Sequence, residues 1–324
     1  MINPVIANVF RGSIVESRHR GAFAVVNLQK QIVAQSGDIQ APVFPRSAIK
    51  AFQCLPLIES GGAARFKLND EEIALCCSSH NGEAEHVRVA RSILQKAGCD
   101  EVSYECGAHM PLSKEATFQL VREGKHPGQI HNTCSGKHAG MLALAAHLGA
   151  VPKDYVKVEH IVQRQVAETL ERYCEVNIAG APVGIDGCSV PSWAMPLYNT
   201  ALGFAKLGDV ENHSAAWILR AVRANPSMVA GKGSFDTKVM LAVPRLFIKF
   251  GAEGVFCGCI PHAALGFALK CDDGAKRGAE VAVAKVLAEL DVWTIEEKQA
   301  LLNFASEQMT NWRKITVGQI SANP

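Results

Sequence analysis

The chain has 324 residues, 48% of them hydrophobic and 20% charged, with a formal net charge of +2. That is ample material for a large core, and the near-neutral balance without a basic block gives nucleic-acid binding no footing. The opening MINPVIANVFRGSIVESRHR lacks the charged-then-apolar order of a signal peptide. No apolar run reaches the roughly 18 residues of a membrane span.

The elements follow in chain order. Residues 13–37 alternate in part between polar and apolar and read as antiparallel strands. Pro45 opens a helix that ends by Gly61-Gly62. EIALCCSS, 72–79, is a short buried stretch that ends at the polar turn SHNGE. Residues 83–97 carry a helical stripe of Val89, Ala90, Ile93 and Leu94, and 113–123 form another short helix. GKHPGQIHNTCSGKHAG, 124–140, reads as a polar, Gly-rich loop before the helix MLALAAHLG. Residues 154–173 are an amphipathic helix, GIDGCSVPSW (184–193) is a second polar loop, and helices follow at about 196–207 and 211–224.

The C-terminal third changes character. RLFIKF, GVFCGCI and LGFALKC are apolar runs of strand length punctuated by Gly, Pro and Asp. Residues 279–290 return to helical spacing, and Thr294 with Glu297 forms a capping box for a last helix. No repeat or long linker interrupts the chain. The predicted fold is α+β: one domain over 1–324, an antiparallel sheet built from both termini and flanked by helices, with an inserted, mainly helical region at about 83–225.

Three short strings carry chemistry. Ser47 and Lys50 form S-x-x-K at the start of a predicted helix. Alone this reads as an ordinary first turn, but i and i+3 share a helix face, so the amine can reach the hydroxyl. A helix N-terminus also favours a developing negative charge. Ser79-His80-Asn81 fits S-x-N at a turn, and Lys249-Phe250-Gly251 fits K-x-G at the end of a strand-like run. The three stand in the order found in penicillin-recognising serine hydrolases. K-x-G also occurs at Lys96, Lys206 and Lys276, so order and context carry the weight. The set predicts an acyl-transfer hydrolase with a serine nucleophile. His80 and Phe250 stand where Asp and Thr are usual, which turns the reading away from a β-lactam substrate.

Cys134, Lys137 and His138 share one polar segment, and Asp186 and Cys188 another. No C-x-x-C pair is present, and on spacing alone these are buried cysteines and a capping loop. The eleven cysteines, an odd number, fit a reducing cytoplasm rather than a disulfide framework. Cys257 and Cys259 share a strand face and read as core.

SHNGEAEH, HNTCSGKHAGML, GIDGCSVP and GCIPHAALGFALKCDDG resemble the rhizobial-type asparaginase II family, whose fold is similar to that of serine β-lactamases and glutaminases. The resemblance runs from about residue 8 to about residue 285. It implies an L-asparaginase that hydrolyses L-asparagine to aspartate and ammonia, probed against glutaminase, β-lactamase or peptidase, and non-catalytic amino-acid sensor or zinc scaffold as alternatives. Carried over, Ser47 and Lys50 match one serine–lysine pair. Ser79 matches the serine of a second pair, whose lysine position holds Ala263. His80, Asn81 and Asp186 match substrate-binding positions, Asp186 facing the α-ammonium group. Cys134, Lys137 and Cys188 match a zinc site, which reverses the reading from spacing. A homodimer is implied as well, and Lys249 is left without a role.

Overall fold

Strand-forming stretches from both ends of the chain pair into one antiparallel sheet in the computed structural model, which describes residues 2–323. Its path runs Ser306–Thr310, Thr316–Ala322, Val5–Arg11, Ile14–Asn27, Leu265–Cys271, Val255–Ile260 and Phe247–Gly251, and Ile32–Ser36 adds to Ile14–Asn27. The α+β layout with a sheet closed by both termini is therefore as predicted. Ile14–Asn27 explains how one strand serves two settings. Its first half alternates exposed and half-buried residues, while Ala22, Ala24, Val25 and Val26 are buried at the centre of the sheet. Helix Lys276–Ala288 packs on one part of the sheet, where Val281 joins Ala7, Val9 and Ile320 in a core cluster. Helix Leu197–Leu207 packs against Ile14–Asn27, Val255–Ile260 and Leu265–Cys271.

The chain divides into two compact units. The first, residues 1–48, 195–208 and 238–324, holds this sheet. The second, residues 49–194 and 209–237, is mainly helical; it takes in residues 49–82 and, of the stretch 83–225 assigned to the inserted region, all but residues 195–208, which belong to the first unit. At its centre lies helix Ser135–His147, buried from Ser135 to Ala145, as an all-round apolar helix must be. Around it pack Lys50–Glu59, Asp70–Cys76, Ala84–Ala97 and Ile161–Cys174.

The capping box at the last helix is present. Glu297 N–H donates to Thr294 Oγ1 at 3.2 Å and Thr294 N–H to Glu297 Oε2 at 3.0 Å. Three local expectations change. The polar segment 124–140 gives way to helix at Ser135, so Lys137 and His138 are helical rather than in a loop. The stretch 184–193 is a small hairpin, Val183–Ile185 paired with Pro191–Trp193. Helix Ile161–Cys174 starts later than residue 154, with His160 as its N-cap. No helix among the described residues is long and apolar enough to cross a membrane.

Candidate active site

The S-x-N segment is set by the short helix before it. Asn69 and Glu72 form a capping box at the start of Asp70–Cys76, and the chain turns out of that helix at Cys77. Ser79 is then fixed by its backbone, whose N–H donates to the Val229 carbonyl at 2.8 Å. The next N–H, of His80, donates to the Thr133 carbonyl at 3.1 Å and so ties this turn to the residue before Cys134.

His80 is fully buried. Gly82 N–H donates to its Nδ1 at 3.0 Å, which assigns the proton to Nε2, and Nε2 donates to Ser135 Oγ at 2.9 Å. The Ser135 hydroxyl in turn donates to the Ile130 carbonyl at 2.8 Å. Burial first, then the His86 ring and Lys50, pushes the His80 pKa well below that of a free imidazole. The ring stacks on His86 with centroids 4.8 Å apart. Both nitrogens of this neutral histidine are thus engaged within the chain, and it holds Ser79 and Asn81 in place. Asn81 is half-buried, with its carbonyl accepting from Ser113 N–H at 2.9 Å and its side-chain amide donating to Ser234 Oγ at 3.3 Å. It lines a cavity of about 700 Å³ with Glu83, Ser113, Gln119 and Lys232.

Lys50 opens the helix Lys50–Glu59 and is 0% exposed. Its Nζ donates to Ser79 Oγ at 2.9 Å, to Cys134 Sγ at 3.2 Å and to the Ser78 carbonyl. Three N–H donors thus meet three acceptors. Ser47 stands three residues earlier on the 3-10 turn Arg46–Ile49, half-buried, in the first unit. The pairing within the second unit is Lys50 with Ser79, across 29 positions of sequence, a contact no local spacing announces.

Cys134 is the N-cap of helix Ser135–His147, and Asn132 Oδ1 accepts its N–H at 2.8 Å. Lys137, on the first turn of that helix, donates to Cys188 Sγ at 2.9 Å. Cys188 sits at the tip of the hairpin, where Asp186 N–H donates to the Val190 carbonyl at 2.9 Å and Ser189 N–H to the Asp186 carbonyl at 2.8 Å. Asp186 Oδ1 accepts from Gly187 N–H at 2.8 Å, and Oδ2 lies 3.9 Å from Cys188 Sγ. A hydrogen bond from Cys188 holds the Cys134 thiol well below its usual pKa against the cost of burial, aided by Lys50 and Lys137. Cys188 moves the other way, raised by its bond to Cys134 and by burial. Burial pulls the Lys137 amine down, but Cys188, Cys134 and Asp186 outweigh it and raise its pKa. The two thiols are flanked by two amines, Lys50 at Cys134 and Lys137 at Cys188.

These residues meet a simple test for zinc. Two sulfurs and one amine converge in a buried setting, with Cys134 at 5%, Lys137 at 2% and Cys188 at 2% exposure. Thiolates suit that ion, and three protein ligands leave a position for a substrate oxygen. His138, the next residue, contacts the Tyr155 hydroxyl through Nδ1 at 2.6 Å, while its buried Nε2 has no hydrogen-bond partner among the described residues.

The close approach of helix Ser135–His147 to the end of Asp70–Cys76 depends on Gly136. A Cβ there would strike the Leu75 carbonyl oxygen and stand 2.6 Å from Leu75 Cγ. Gly136→Ala should lower stability by about 1–3 kcal/mol through overpacking, although Ala favours an exposed helix by about 1 kcal/mol. Urea denaturation reads this directly, and an unchanged or raised midpoint would contradict the contact.

A separate group in the first unit escaped the sequence reading. His19 Nδ1 lies 2.7 Å from Asp273 Oδ2, and Cys271 Sγ donates to Asp273 Oδ1 at 3.0 Å. Arg277 Nε donates to His19 Nε2 at 3.1 Å, which commits the ring proton to Asp273. With a guanidinium already on the ring, this cluster is a hydrogen-bonded clasp rather than a cation site.

The chain resembles solved structures only distantly. Mglu in its native form in the presence of 4.3 M NaCl aligns at 13% identity and a TM-score of 0.38, covering 88% of this chain and 63% of that one, so the chain spans under two thirds of its length. A crystal structure of Mglu in its tris and glutamate form aligns at 12% identity and a TM-score of 0.38, covering 90% of this chain and 65% of that one. A β-lactamase from Mycobacterium bovis aligns at 12% identity and a TM-score of 0.37, covering 88% and 94%. These likenesses are too distant to carry an activity over. A search of curated proteins finds no significant match. The sequence profile of L-asparaginase II, by contrast, matches residues 7–322, nearly the whole chain, and takes in every residue of the site described above: the protein belongs to the L-asparaginase II family.

Proposed function

We propose that this protein is a zinc-binding L-asparaginase that hydrolyses L-asparagine to L-aspartate and ammonia through a serine nucleophile. Family membership supports an amidohydrolase. The observation that carries the finer reading is Lys50, whose buried Nζ donates to both Ser79 Oγ and Cys134 Sγ. One amine thus links a serine hydroxyl to the S/N/S donor set.

In this reading Ser47 attacks the side-chain amide carbon as Lys50 takes the hydroxyl proton, and the acyl-enzyme formed is then released by water as aspartate. Ser79, held at Lys50, passes a proton to the departing ammonia and positions the water. The Asp186 carboxylate pairs with the substrate α-ammonium group. Asn81 offers its amide to the substrate beside the cavity, and His80 keeps both neighbours in register. Zinc held by Cys134, Lys137 and Cys188 supplies positive charge that orients the substrate. Lys137 must lose its proton to serve as a ligand, so uptake releases protons. A homodimer in a reducing cytoplasm completes the proposal.

The deciding experiment measures ammonia from asparagine, glutamine and a blank, with and without added zinc, beside elemental analysis of untagged protein. The expected result is preference for asparagine and about one zinc per chain, lost in Cys188→Ser. Faster release from glutamine would make the protein a glutaminase. No release, with ligand-induced thermal stabilisation, would make it a sensor. Metal-free wild-type protein would end the zinc assignment.

A further inference from the structure

Two amine–sulfur contacts lie within the second unit, and they are not alike. Lys50 Nζ stands 3.2 Å from Cys134 Sγ, but it also donates to Ser79 Oγ at 2.9 Å and to the Ser78 carbonyl. Its three N–H donors are spent on three acceptors. Lys137 Nζ stands closer to its sulfur, 2.9 Å from Cys188 Sγ, and that sulfur is its one hydrogen-bond partner among the described residues. Both ends of this second contact are buried, Lys137 at 2% and Cys188 at 2% exposure. Lysine is almost never buried this fully without a use for its charge or its amine. The two side chains are also held from below. Lys137 rises from the first turn of a helix buried from Ser135 to Ala145. Cys188 sits in a hairpin turn closed by Asp186 N–H on the Val190 carbonyl and Ser189 N–H on the Asp186 carbonyl.

A thiol held against an amine has a reaction open to it that a thiol among hydroxyls lacks. Oxidation turns a cysteine into a sulfenic acid, and a nitrogen beside it displaces the oxygen to leave a sulfur–nitrogen bond. The nitrogen must already touch the sulfur, because a sulfenic acid is otherwise taken by a second thiol or by more oxidant. The 2.9 Å contact between Lys137 and Cys188 meets that need. Gly187 and Ser189, on either side of Cys188, are exposed, which brings a small oxidant to within one residue of the sulfur.

We propose that hydrogen peroxide joins Lys137 Nζ to Cys188 Sγ in a reversible sulfur–nitrogen cross-link, a modification that shuts the site described above. The cross-link stands on the contact; its effect as a lock rests on the zinc reading and adds regulation to it. The Cys188 sulfur bonds to one peroxide oxygen as the O–O bond breaks. The hydroxide that leaves takes the thiol proton and departs as water, and the sulfur is left as a sulfenic acid. The Lys137 amine, in its neutral form, then bonds to the sulfur as the S–O bond breaks. The second hydroxide takes a nitrogen proton and leaves as water. Sulfur is oxidised by two electrons and the peroxide is reduced to water, so that R–SH, R′–NH2 and H2O2 give R–S–NH–R′ and 2 H2O. A thiol reductant that attacks the sulfur returns both side chains. The cross-link withdraws one sulfur and the amine from the S/N/S set, so bound zinc and the cross-link exclude one another.

The test treats the full chain, as purified and after a chelator, with a small excess of hydrogen peroxide and maps its peptides by mass spectrometry without reduction. The peptides that carry Lys137 and Cys188 should appear joined, lighter by two hydrogen atoms than their sum, with trypsin no longer cutting after Lys137. Dithiothreitol should separate them. The same product should form in Cys134→Ser, where a disulfide between Cys134 and Cys188 is impossible, and be lost in Lys137→Met. Saturating zinc should cut its yield by at least about tenfold, since metal on the pair withholds both atoms. Cys188 recovered only in a disulfide with Cys134, or only as a sulfinic acid, would overturn the proposal, and so would Cys188 left unmodified in metal-free protein. Equal yield with zinc bound would overturn the lock. Wild-type protein that takes up no zinc and still cross-links would end the zinc assignment and leave the cross-link standing. Absence of ammonia from asparagine would likewise sink the substrate and not the cross-link, which is read by mass and not by turnover.

Discussion

Lys50→Met is expected to remove asparagine turnover by about 10²–10⁴-fold, which is roughly 3–5 kcal/mol of transition-state stabilisation. The substitution keeps the length of the side chain and removes the Nζ that bridges Ser79 Oγ and Cys134 Sγ. The folded state should survive, because methionine spares the desolvation of a fully buried amine. Ser78 and Ser79 lose a donor in return, so the melting temperature should move by a few degrees at most. The Cys134 thiol also loses a flanking charge that lowers its pKa, so zinc binding in the variant should need a higher pH. Lys50→Met with turnover within threefold of wild type would remove Lys50 from the chemistry.

The second large effect separates the two serines. Ser47→Ala should abolish both turnover and the covalent acyl-enzyme seen after acid quench, with a loss of at least about 10³-fold. Ser79→Ala should slow turnover by about 10²-fold while acylation of Ser47 is still detected, because it removes a proton carrier and not the attacking oxygen. Circular dichroism must show both variants folded, which their half-buried positions permit. An acyl adduct on Ser79 in the Ser47→Ala protein would reverse the assignment and make the Ser79–Lys50 pair the nucleophile and its base.

Much of the fold is legible in local pattern. The strands around residues 13–37 and 247–271 announce themselves by apolar runs between Gly, Pro and Asp, and the helix Ala84–Ala97 by its stripe. The first turns of helix Ser135–His147 are hidden because Gly136 and Gly140 are poor helix formers that allow close packing against Leu75 and Cys76, while MLALAAHLG beyond them reads as helix. The hairpin at Cys188 is hidden by Pro191 and the glycines around it, which read as loop. The edge strand Ser306–Thr310 is mostly exposed and polar, and its neighbour Thr316–Ala322 fully buries only Ile320, so neither shows a clear alternation. At the site, the residue types are legible but their partners are not. Lys50 with Ser79 and Lys137 with Cys188 are contacts across 29 and 51 positions. His80 shows the limit from the other side: its place in S-x-N suggests a hand on the substrate, and no local pattern announces its ring contacts to Ser135 Oγ and Gly82 N–H.

The hairpin tip has one more consequence. Asp186 and Cys188 are two residues apart and share the turn closed by Asp186 N–H on Val190 and Ser189 N–H on Asp186. Whatever fixes one fixes the other. On the proposed assignments, a metal on Cys188 would pre-order the carboxylate offered to the amino acid, and an amino acid on Asp186 would pre-order the thiol offered to the metal. By thermodynamic linkage each ligand would then raise the affinity for the other by the same factor.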